Sequence, residues 1–133
     1  MRRLAAFALL LMMGACAHAV PGTPAAAGQS YAVYFQEWSA GLDGSGRKAV
    51  SQAADNAHQH PGVPILVSGY AANDTGSNAA NQLLSRTRAQ VVVDQLRADG
   101  VDVSRIRINA QGATSYQLDP LEARRVNIAV GAS

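Results

Sequence analysis

The stretch from Ile65 to Gln90 constrains the chain more than any other. A short apolar run, Ile65, Leu66, Val67, then Ser68, leads into Gly69, as a buried strand would. A polar, Gly-containing loop follows, and then a long segment of helix-forming residues, with Ser77 and Asn78 placed as candidate caps. Asn81, Ser85 and Arg88 recur along that helix at spacings of four and three, so the three share one flank near its N-terminal end. A loop rich in backbone amides, a positive helix end and a nearby Arg together suit a carboxylate ligand. The plainer alternative is that Arg88 is a solvated helix charge.

The flanking segments fit around this unit. Tyr31 to Phe35 alternates as a strand. Ser45 to His60 reads as an amphipathic helix with Val50, Ala53, Ala54 and Ala57 as a narrow apolar stripe, ended by Pro61-Gly62. The central helix stops at Asp99-Gly100, and Leu84 is expected to be a buried contact between it and the sheet. Val103 to Asn109 alternates as a half-exposed strand, Ser115 to Leu121 is a loop, and Arg124 to Ile128 forms a closing strand. Arg124 and Arg125 then point to opposite faces, so at most one faces a pocket. Strands alternating with helices, followed by an ending without a helix, predict an α+β fold: a mixed sheet with helices on one face.

These segments together resemble the OmpA-like domain of outer-membrane proteins and peptidoglycan-associated lipoproteins, whose core motif runs G-(H/Y)-T-D-x-x-G-S-x-x-x-N-x-x-L-S-x-x-R-A. Gly76, Ser77, Asn81, Leu84, Ser85, Arg88 and Ala89 match it in register. Phe35, Ser39, Ala40 and Leu42 match the family's F-x-x-x-S-A-x-L opening, and Arg124-Arg125-Val126-Asn127-Ile128 its closing R-R-V-E-I. The loop half of the motif departs from the pattern. Gly69 and Gly76 are seven apart where the family has six, and the Thr-Asp pair is missing. The family's Asp falls on Ala72 by one count and on Asn73 by the other, while Asp74 is out of register by both. Trp38 stands where the family often has an acid. Its ring could stack on a sugar or a cation, or simply cover the sheet end.

The resemblance implies a β-α-β-α-β-β sandwich over Tyr31 to Val130 and a non-catalytic module that binds the diaminopimelate stem of peptidoglycan. Arg88 matches the residue that takes the carboxylate, and Asn81 the Asn that braces the loop. Asn73, Asp74, Gly76, Ser77, Arg124 and Arg125 complete the candidate ligand site. The alternative is a degenerate domain that keeps the fold and binds a protein partner. An enzyme is not expected: no Ser–His–Asp order, metal-ligand set or opposed carboxylate pair is visible. His58 and His60 sit two apart at a frayed helix end, too few for a metal site, and no cofactor is expected.

Residues 1–19 read as a signal peptide. Arg2 and Arg3 form its basic start, and Leu4 to Met13 its apolar core. Met13-Gly14-Ala15-Cys16 resembles a bacterial lipobox, with Cys16 as the lipid attachment site. Ala17-His18-Ala19 would instead suit ordinary cleavage and a soluble periplasmic protein. Cys16 is the single cysteine, so no internal disulfide is available. The expected location is therefore the periplasmic face of the outer membrane, held by lipid. Residues 20–30 are Pro-, Gly- and Ala-rich and read as a flexible tether, with the domain at 31–133. Without Arg2 and Arg3 the charges balance, nine basic against nine acidic, and no basic tract argues for nucleic acid.

Overall fold

The computed structural model describes residues 28–73 and 76–131. The elements run β1 (Ser30–Tyr34), α1 (Gly44–Gln59), β2 (Ile65–Ala72), α2 (Asn78–Ala98), β3 (Ile106–Thr114) and β4 (Arg125–Val130), with 3-10 turns at Val103–Arg105 and Pro120–Ala123. This is the α+β arrangement expected, a four-stranded mixed sheet with the two helices on one face.

The sheet order is β1-β4-β2-β3. β2 and β3 are parallel and joined through α2, while β4 is antiparallel to both its neighbours. The last strand therefore slots between β1 and β2. Its alternation explains the fit: Val126, Ile128 and Val130 are fully buried under the helices, and the residues between them face the other way. As a result β1, β2 and β3 all end at one edge of the sheet, where β4 and α2 begin. The candidate site residues lie along that edge.

The stripe predicted for α1 is buried, with Val50, Ala53, Ala54 and Ala57 all in the core. Asp43 caps its start by accepting from the Gly46 amide. At its other end the Arg105 guanidinium donates to the carbonyls of Ala57, His60 and Val63. Carbonyls that the helix leaves without partners are thereby satisfied from a distant segment. This role changes the reading of 103–109. Val103–Arg105 is a 3-10 turn capped by the Asp102 side chain, and the strand starts only at Ile106. Ile108 is 42% exposed because β3 lies at the edge of the sheet.

Ser77 caps α2 by accepting from the Ala80 amide. At the far end the Gly100 amide bonds the Arg97 carbonyl and the Val101 amide the Leu96 carbonyl, a Schellman ending with Gly100 at φ +91°. The buried face is Asn81, Ser85, Arg88, Ala89, Val92, Val93 and Leu96. Leu84 is only half-buried, contrary to expectation. It sits one residue, about 100°, round the helix from Ser85 and so falls on the flank of that face.

The segment expected to be tether is shorter than 20–30. The Gly28 amide bonds the Val130 carbonyl, the Val130 amide bonds the Gln29 carbonyl, and Ser30 already belongs to β1. The signal peptide, the lipobox, Cys16 and the rest of the tether lie outside the described residues. No helix among the described residues is long and apolar enough to cross a membrane.

Candidate functional site

Two glycines set how closely the site is assembled. A Cβ on Gly69 would lie 2.1 Å from the Ser85 carbonyl oxygen, so β2 and α2 meet backbone to backbone there. The polar flank of α2 secures the same contact. The Ser85 hydroxyl donates to the Gln82 carbonyl and accepts from the Gly112 amide, while the Gln82 side chain donates to the Ala110 carbonyl. The second glycine, Gly76, adopts φ +72° in the loop before α2, the left-handed region that favours glycine.

Arg88, on the buried flank of α2, is 0% exposed. Its Nε donates to the Ser39 carbonyl at 2.8 Å, Nη1 to the Tyr70 carbonyl at 3.1 Å and Nη2 to the Gln36 carbonyl at 3.0 Å. The guanidinium carbon sits 5.3 Å from the centroid of the Phe35 ring. One side chain thus joins the turn after β1 to the end of β2. Burial, and secondarily the charge of Arg124, hold its pKa down at about 10, which leaves it charged at neutral pH. Its guanidinium carries five N–H bonds. The two outside these three hydrogen bonds, both on the terminal nitrogens, are what a ligand carboxylate could take.

The turn that Arg88 holds carries Trp38, whose φ of +53° is rare for a bulky residue. The Gln36 carbonyl also accepts from the Ser39 amide, and the Ser39 hydroxyl accepts from the Gly41 amide. The far end of the Trp38 six-membered ring packs on Gly76, where a Cβ would come within 2.6 Å of it. Even so, Trp38 is 52% exposed. Burying about half of such a ring is worth roughly 2–3 kcal/mol, and a strained backbone of this kind costs about 1–3 kcal/mol. The packing on Gly76 thus roughly offsets the strain, while the other half of the ring remains exposed.

The other predicted residues divide. Asn81 is buried one turn into α2, and its amide bonds the Ser77 carbonyl. Asn73 is exposed at the end of β2. Gly76 and Ser77 form the entry to α2, as expected. Asp74 lies outside the described residues. Arg124 and Arg125 do part company. The charge of Arg124 acts on Arg88, whereas Arg125 stacks 4.5 Å over the Tyr70 ring and donates to the Glu122 carbonyl. Being out of phase with Val126 and Ile128, Arg125 stands on the sheet face away from the helices. Sequence reasoning missed the Gln36, Ser39 and Tyr70 carbonyls, since every residue offers a carbonyl and no pattern marks which ones a guanidinium will meet.

Among known proteins, the OmpA family profile matches residues 34–125. "Outer membrane protein 40" of Porphyromonas gingivalis is 38% identical over 82 residues, 62% of this chain; the matched part is 21% of that protein's length. In fold, the peptidoglycan-associated lipoprotein of Burkholderia pseudomallei is similar with a TM-score of 0.68 at 22% identity, over 74% of this chain and 88% of that one. The C-terminal domain of Helicobacter pylori MotB is similar with a TM-score of 0.64 at 23% identity, over 77% of this chain and 84% of the other. With a family match running from β1 into β4 and the fold shared with these domains, the chain belongs to the OmpA family.

Proposed function

We propose that this domain is a non-catalytic module of the cell envelope that binds peptidoglycan through the diaminopimelate residue of its stem. The observation that carries the reading is the Arg88 guanidinium, which has two N–H bonds beyond its three backbone contacts and feels the like charge of Arg124, a repulsion that a bound anion would relieve. A stem carboxylate at the mouth of the loop would take the remaining N–H bonds of Arg88 and the amides of Gly76 and Ser77 at the N-terminus of α2. Asn81 braces the loop from below. The ammonium partner is Asp74, or, failing it, Asn73 with water. Lipid on Cys16 would then anchor the chain in the outer membrane and make the module a non-covalent tether to the wall.

A second reading keeps the fold and gives the same edge a protein partner. It is favoured by the complete burial of Arg88, three of whose donors already serve the backbone. Sedimentation with purified sacculi separates the two, because wall binding requires the protein to travel with the pellet. In the same assay Asp74→Ala should weaken binding about ten- to a hundredfold, as expected for loss of one charge-assisted hydrogen bond. Where Asp74→Ala leaves binding unchanged, the ammonium is met by Asn73 and water, and deleting Ala72 with Asn73→Asp, which restores the family spacing, should tighten binding to a diaminopimelate stem peptide about ten- to a hundredfold. A wild-type protein that stays in the supernatant would favour the protein-partner reading.

A further inference from the structure

The residue at this edge that neither the fold nor the carboxylate site explains is Trp38. Its ring is half exposed and its backbone is held in a left-handed conformation. Resting on the peptidoglycan reading above, we propose that Trp38 is a stacking platform for a pyranose ring of the wall glycan, a sugar subsite beside the peptide-stem site.

Three observations support it. First, the platform is rigid from behind. The carbonyls of Gln36 and Ser39, two residues before and one after the tryptophan, are both held by Arg88, and the ring end rests on Gly76. A flat, immobilised aromatic ring meets a flat ligand with little ordering cost. Second, the ring is open to a ligand: Trp38 is 52% exposed although one end of its ring packs on Gly76. A pyranose carries no charge and presents a face of C–H groups, which suits the ring. Third, the surroundings are polar. Gln36 and Glu37 are exposed directly before Trp38, and Ser39 is half-buried after it. Such groups can bond sugar hydroxyls, whereas the centre of a protein interface is depleted of charge. Arg88 is then a positioning residue for the platform as well as part of the carboxylate site.

Trp38 is the single tryptophan of the sequence, so its intrinsic fluorescence reports this site without any label. The experiment uses the full-length protein and three probes: purified sacculi, a peptide-free N-acetylglucosamine–N-acetylmuramic acid oligosaccharide, and a free stem peptide containing diaminopimelate. Expected is a saturable fluorescence change with the peptide-free glycan. Trp38→Ala should weaken glycan binding about tenfold by calorimetry and leave stem-peptide binding unchanged, while Trp38→Phe should retain most of the glycan affinity. Wild-type protein that binds sacculi and stem peptide, yet shows no fluorescence response to the glycan, overturns the platform and spares the wall-binding reading. An equal loss of stem-peptide and glycan binding in Trp38→Ala also overturns it, since Trp38 would then only shape the loop. Failure of wild type to bind sacculi at all overturns both.

Discussion

Replacing Arg88 by alanine tests the central contact of the site, and the first thing it should damage is the fold. Three hydrogen bonds from a charged donor are lost, each worth about 1.5–3 kcal/mol, or roughly 5–9 kcal/mol in sum. Against this, the buried charge disappears. The Arg88 pKa, lowered to about 10 by burial and secondarily by Arg124, corresponds to a penalty of about 3 kcal/mol that the mutant no longer bears. The net loss is about 2–6 kcal/mol, a large share of the stability of so small a domain. At about 4–8 °C per kcal/mol, the melting temperature should fall by at least 8 °C or so. The pH dependence has a definite sign. In the window above about pH 10 the folded chain releases the Arg88 proton before the unfolded chain does, so wild type gains stability there. The gap between wild type and Arg88→Ala should therefore widen as pH rises through that window. Thermal denaturation followed by circular dichroism, at neutral pH and across that window, measures both. A melting temperature within about 3 °C of wild type would mean that the three carbonyls find other partners and that Arg88 does not hold the two loops together. Any binding assay on this variant must accordingly be run well below its own melting temperature.

Two further outcomes are expected. Gly69→Ala should severely destabilise the domain, because its Cβ would overlap the Ser85 backbone oxygen at 2.1 Å and no flexible side chain is there to yield; soluble protein with an unchanged melting temperature would show that α2 can lift off β2 cheaply. Cys16→Ser should abolish lipid attachment and shift the chain from the membrane to the soluble fraction; mass spectrometry showing wild type cleaved after Ala19 and free of lipid would remove the anchor from the proposed function.

Sequence alone determined the features whose causes lie within a few residues of one another. The stripe of Val50, Ala53, Ala54 and Ala57 and the cap at Ser77 are fixed by helical period and local hydrogen bonding, and so is the stop at Gly100. The placing of Asn81, Ser85 and Arg88 on one flank followed in the same way, whereas the burial of that flank, which excludes a solvated Arg88, did not. Tertiary structure decided what those residues meet. β4 enters between β1 and β2 rather than beside β3, because its core-facing valines and isoleucine need neighbours on both sides, and nothing local in Arg125–Val130 specifies which. Arg105 alternates in sequence like a strand residue, yet it turns to cap α1, whose carbonyls come within reach only once the chain has folded. The same holds for Arg88. A guanidinium at a motif position is legible in the sequence, but the three carbonyls it meets are chemically generic, and only the convergence of β1, β2 and α2 at one edge selects them.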